Sequence, residues 1–179
     1  MANDRDFFDI FKYNNVIVHE NSIGTIDDLV ELNDNDGSSE VVTPDYQRGL
    51  VWSEIQKENL IKSILYGAPI GTIVFGRYRT FNEERRVIKN TYAIIDGQQR
   101  FNAILGFMND KFRVCGKLYS ELKPLDKTAF LNFRRFDTII LLEPSREIEI
   151  NFYRTLNFSG TTHTKEDLER LLEAENKPE

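Results

Sequence analysis

The stretch Ile94-Ile95-Asp96-Gly97-Gln98-Gln99-Arg100 lies near the middle of a chain of 179 residues and joins two patterns of different period. Tyr92 to Ile95 ends a run of β-branched and aromatic residues suited to a strand. Beyond the junction, Phe101, Ile104, Leu105 and Met108 stand at i, i+3, i+4 and i+7, the spacing that lays one apolar stripe along a helix. The change of period predicts a strand, a turn at Asp96-Gly97 and a helix from Gln98 to Asn109. A carboxylate, two amides and a guanidinium crowd that turn.

Working outward, Ser53 and Gln56 form a capping-box pattern that opens a helix with Leu60, Ile61, Ile64 and Leu65 on one face, and Gly67 ends it. Thr72 to Phe75 reads as a strand running toward Tyr78, with residues 80 to 86 as a hairpin loop and Val87 to Ile95 as the return. Nearer the start, SIGTIDDLVEL from Ser22 reads as a short helix and residues 33 to 39 as a loop. Glu40 to Thr43 reads as a brief strand stopped by Pro44. On the other side the pattern gives a short strand or hairpin over 111 to 119, a helix over 126 to 134 and a buried strand at Asp137 to Leu142. A helix marked by Ile148, Phe152 and Leu156 follows, then a loop from Asn157 and a last helix from Thr164 to Leu172. The expected division is a lead-in over 1–22, one domain over 23–172 and a flexible tail over 173–179. The class is α+β, a small mixed sheet flanked by helices.

Composition narrows the functions. Hydrophobic residues make up 40% of the chain, enough for a real core, and the thirteen Phe and seven Tyr serve mainly to build it. A formal charge of −6 argues against a protein that coats nucleic acid over its whole surface. DNA contact would have to be local. The basic cluster Arg77, Arg79, Arg85, Arg86 and Lys89 is the best candidate for it, but Glu83 and Glu84 dilute the charge and favour a solvated hairpin. One cysteine and two histidines leave no disulfide and no zinc cluster. The acidic, aromatic N-terminus lacks the features of a signal peptide, and no apolar run is long enough to span a bilayer, so a cytoplasmic protein without membrane association is expected. A P-loop is absent, and the histidines do not support a nuclease of the HNH type, a serine hydrolase or a zinc deaminase.

Three polar constellations could carry chemistry. If a helix begins at Gln98, its unpaired N–H groups and the positive end of its dipole converge beside Gly97, a geometry that binds phosphate. Arg100 could then clamp phosphate oxygens, the amides of Gln98 and Gln99 could bond phosphate or sugar, and Asp96 would serve as a Mg²⁺ ligand or general base. The alternative is purely structural, with Asp96 as helix cap and Arg100 as its ion-pair partner four residues on. The second constellation is Thr43 to Trp52, where Tyr46 and Trp52 offer stacking surfaces and Gln47 and Arg48 another amide and guanidinium. On local grounds a turn anchored by buried aromatics is the favoured explanation. The third is Asn157 to Thr162, either a source of ligand donors or a pair of helix caps.

In this order P-D-Y-Q-R-G-L-V-W (44–52), L-I-K-S-I-L-Y-G-A-P-I-G (60–71), I-I-D-G-Q-Q-R-F (94–101) and F-Y-R-T-L-N-F-S-G-T (152–161) form a recognisable set. The chain from about Ile23 to Leu172 resembles the N-terminal domain of GmrSD-type restriction proteins, the DGQQR-motif branch of the ParB/sulfiredoxin superfamily. The resemblance implies that fold and a nucleoside triphosphate site at Asp96, Gly97, Gln98, Gln99 and Arg100. It also implies that Tyr46, Gln47 and Arg48 line the same cleft and that Asn157 and Gly160 close it. Asp96, Gln99 and Arg100 would be catalytic, with Mg²⁺ at Asp96, and hydrolysis would be tied to restriction of phage DNA or the response to it. Phosphate transfer to a nucleic acid or protein, as in sulfiredoxin-like members, and nucleotide-gated DNA binding without turnover are the alternatives. Members of the family carry an HNH-type nuclease domain that these residues do not contain. The resemblance therefore leaves two alternatives, a separate HNH nuclease subunit as partner or a chain that is a fragment of a longer protein, with DNA as a further partner and a homo-oligomer also open. His163 stands where relatives commonly have an apolar residue.

Overall fold

The computed structural model describes residues 19–33, 37–132 and 135–158. In chain order these form β1 (His19–Thr25), α1 (Ile26–Glu31), β2 (Ser39–Val42), α2 (Glu54–Tyr66) and β3 (Ile73–Phe81). They continue through β4 (Val87–Asp96), α3 (Gln98–Met108), α4 (Pro124–Asn132), β5 (Arg135–Leu142) and α5 (Arg146–Phe158). The five strands make one sheet in the order β1-β5-β3-β4-β2. β3 and β4 pair antiparallel as the expected hairpin, and β1 pairs antiparallel with β5, while β3–β5 and β2–β4 are parallel. The class is the expected α+β, with a mixed sheet and helices on both faces.

Strand alternation builds two cores. Ile73, Phe75, Tyr92 and Ile94 point to one face, where Ile26, Ile61, Ile64, Phe101, Ile104, Phe107 and Phe130 from α1 to α4 cover them. Val74, Ile95 and Leu141 point to the other, under Tyr46 and the α5 residues Ile148, Ile150 and Tyr153.

Helix ends follow local chemistry where the sequence supplies it. Ser53 accepts from the Gln56 N–H while the Gln56 side chain accepts from the Ser53 N–H, and Gly67 ends α2 at φ 76°. Three segments differ from expectation. Ser22 to Thr25 are strand rather than helix because they pair with Thr138 to Arg135 of β5, and Thr25 instead caps a shorter helix. The segment expected as a lead-in thus already contains the start of β1 at His19. On α5 the buried set is Ile148, Glu149, Ile150 and Tyr153, and Leu156 is exposed, so the helix is turned away from the 148/152/156 stripe. Asn157 lies inside α5 rather than in a loop. Over 111–119 the chain makes a tight turn with a Val114–Lys117 bridge. Most of the lead-in, the helix expected at Thr164–Leu172, His163 and the tail lie outside the described residues.

Candidate functional site

β4 ends at Asp96, Gly97 turns the chain at φ 93°, and α3 begins at Gln98 with no side-chain cap. A Cβ at Gly97 would lie 3.0 Å from the Ile73 side chain and 3.3 Å from Arg100 Nη2, in a backbone conformation that other residues rarely adopt. The first rung of α3 runs from Phe101 N–H to Gly97 O at 2.9 Å. The N–H groups of Gln98, Gln99 and Arg100 precede that ladder. Whereas α1 and α2 are closed by capping boxes, the end of α3 opens onto a cavity of about 140 Å³.

Three stretches distant in sequence wall that cavity: Gln47, Arg48 and Trp52; Asp96 to Arg100; and Tyr153 with Asn157 from α5. Each predicted residue can now be placed. Arg100 Nη2 donates to Asp96 Oδ2 at 2.6 Å and Nη1 donates to Ile70 O at 2.9 Å. The ion pair foreseen in the structural alternative is present, but the cap is Gly97 and not Asp96. Gln47 Nε2 donates to Ile94 O at 2.7 Å and Ile95 O at 2.8 Å. Gln99 Oε1 accepts from the N–H groups of Val51 and Trp52 at 3.1 and 3.2 Å, and its Nε2 donates to Gly49 O at 3.0 Å.

Two groups on the cavity wall have no such engagement. Gln98 is 7% exposed and its amide has no hydrogen-bond partner among the described residues. The Arg48 guanidinium is half-buried and likewise has neither ion pair nor hydrogen bond among them. Tyr46, expected in the cleft, is instead 1% exposed beneath it, with its ring 5.2 Å from that of Tyr153. Gly160 lies outside the described residues.

Sequence reasoning missed Glu149 and Tyr153. Both stand with Asn157 at i, i+4 and i+8 on one face of α5, a spacing legible in the sequence but eclipsed by the apolar stripe. Glu149 is buried, accepts from the Tyr46 hydroxyl at 3.3 Å, and its carboxyl is pushed above the usual range chiefly by that burial.

No three His, Cys, Asp or Glu side chains converge among the described residues. Asp96 is the carboxylate in the cavity wall, and the hydrogen bond from Arg100 is to its Oδ2. That donor set fits Mg²⁺ arriving with phosphates, because this ion keeps several waters and takes one or two protein carboxylates. On the basic hairpin, Arg79 pairs with Glu143 at 2.9 Å, Lys89 with Glu40 at 2.8 Å, and Arg86 with Glu84, as a solvated hairpin would.

The family model for the GmrSD restriction endonuclease N-terminal domain matches residues 26–178, a span that takes in all four motifs. The chain belongs to that family. No curated protein and no solved structure matches it. Membership ties this GmrSD N-terminal domain to restriction systems, the defence against phage DNA. No helix among its described residues is long and apolar enough to cross a membrane.

Proposed function

We propose that this GmrSD N-terminal domain binds a nucleoside triphosphate at the start of α3 and hydrolyses it, in a cytoplasmic restriction system in which an HNH nuclease acts on DNA. The observation that carries the reading is the N-terminus of α3, without a side-chain cap, where a Gln98 amide and an Arg48 guanidinium that have no partner among the described residues line the same cavity. Buried polar groups are normally satisfied, so such groups beside free helix N–H donors support an anionic ligand.

The backbone N–H groups of Gln98 to Arg100 would donate to phosphate oxygens, Gln98 to phosphate or sugar, and Arg48 would offset charge on the transferring phosphoryl group. Asp96, oriented by Arg100, would hold Mg²⁺ or position the attacking water. When bound, the ion supplies charge neutralisation at the phosphates. Asn157 closes the pocket from α5.

Release of inorganic phosphate from a panel of Mg²⁺-triphosphates, with and without DNA, tests this. Release is expected, with Asp96→Ala lowering it roughly 100-fold or more. Transfer of the γ-phosphate to an acceptor would make the domain a phosphotransferase. The engagement of Asp96 by Arg100 supports one second reading, a nucleotide-gated DNA-binding switch, and tight binding without turnover would establish it. Unchanged binding and turnover in both Asp96→Ala and Arg100→Ala would refute the site.

A further inference from the structure

Gln99 and Arg100 are the residues of the turn with the strongest expectation of meeting a ligand, yet both are already engaged within the fold. A glutamine amide can make four hydrogen bonds, and Gln99 makes three to the backbone of Gly49, Val51 and Trp52. Arg100 has Nη1 on the Ile70 carbonyl and Nη2 on Asp96. Its guanidinium also lies between two bare glycines, since a Cβ at Gly71 would come within 2.7 Å of Nη1 and one at Gly97 within 3.3 Å of Nη2.

Arg48 is the opposite case. The residue before it is fastened to the end of β4 by the Gln47 amide, and the residue after it is fastened to α3 by the Gln99 amide. Its backbone is thus held from both sides while its guanidinium, at the cavity wall, has no partner among the described residues. Fixing the chain beforehand lowers the ordering cost that a ligand would otherwise meet.

We propose that Gln99 is a positioning residue whose amide presets Arg48 over the cavity, and that Arg48 is the arginine that grips the phosphates while Arg100 braces Asp96. This rests on the nucleotide reading above and divides its labour among the residues. A planar guanidinium held in place suits two adjacent phosphate oxygens, a geometry an ammonium cannot reproduce.

The chain has one tryptophan, Trp52, whose backbone N–H donates to Gln99 and which lines the cavity, so its fluorescence reports on this loop alone. The experiment uses the full chain, with Mg²⁺-tripolyphosphate and Mg²⁺-triphosphates as calorimetric probes. Arg48→Ala is expected to weaken tripolyphosphate about tenfold or more, with Arg48→Lys restoring only part. Gln99→Met is expected to weaken it comparably and to raise acrylamide quenching of Trp52 in the free protein. The double variant is expected to bind no more weakly than Arg48→Ala alone, because Gln99 acts through Arg48. Losses that add in full would place Gln99 on the ligand and overturn the proposal, as would unaltered affinity in Arg48→Ala. If Gln99→Met fails to fold, Gln99→Glu keeps the acceptor for Val51 and Trp52, loses the bond to Gly49, and is judged by quenching. Should the wild type bind no triphosphate, the nucleotide reading falls together with the role of Arg48. The brace then stands or falls on Trp52 quenching, and unaltered quenching refutes it.

Discussion

Glu149 projects from α5 into the second core, 5% exposed, with Tyr46 donating to Oε2 at 3.3 Å and Oε1 lacking a hydrogen-bond partner among the described residues. Desolvation raises its pKa, and the hydroxyls of Tyr78 and Tyr46 and the Arg146 charge oppose that rise without cancelling it. Below the ordinary Glu value of 4.5, native and unfolded chains both hold the proton. Above it the unfolded chain releases its proton first, so this group's contribution to stability declines as pH rises through the elevated native value. Glu149→Gln keeps the shape without the titration. Urea midpoints should show it gaining on the wild type between pH 5 and pH 8, and a parallel pH dependence of the two proteins would refute the assignment. Glu149→Ala strips Tyr46 of its acceptor and opens a cavity, at a cost of about 2–4 kcal/mol at either pH.

At the scale of elements, the helices divide by how they begin. α2 starts from a reciprocal Ser53–Gln56 box and ends at a left-handed Gly67, every part of it written within fifteen residues, and all of it was legible in advance. Ser53→Ala should cost about 1 kcal/mol in urea denaturation, and a loss below a few tenths would show that packing alone defines that end. α3 has no such closure, and the groups left over at its start are what make it a candidate site. β1 was not legible as a strand, because Ser22 to Thr25 are helix-compatible locally and become strand only through β5, more than a hundred residues on. The face of α5 was misread for a related reason. A stripe of Ile148, Phe152 and Leu156 has helical spacing, but the sheet face receives Glu149, which accepts from the Tyr46 hydroxyl, and Tyr153, whose ring packs on that of Tyr46.

Across the whole molecule, β3 is the keystone. It is paired on one side with β4 and on the other with β5, and both of its faces are covered by a core. Amide exchange should therefore be slowest in β3 and markedly faster in β2, a four-residue strand at the edge of the sheet; equal protection of the two would contradict this order. The site depends on the same arrangement, since the parallel β3–β5 pairing and the return of α5 bring Tyr153 and Asn157 over the end of β4.

The sequence by itself determined the strand, glycine turn and helix around Asp96, the caps of α2, the α+β class and the family, because periodicity, capping and motif spacing act over short stretches of chain. Only the tertiary structure decided which polar groups of those motifs are spent within the fold and which remain open. Gln47, Gln99 and Arg100 find backbone carbonyls and N–H groups thirty to fifty residues away, while Arg48 and Gln98 find none among the described residues. An amide or guanidinium has the same chemistry in either role, and what separates the roles is the partner that folding brings within hydrogen-bonding distance.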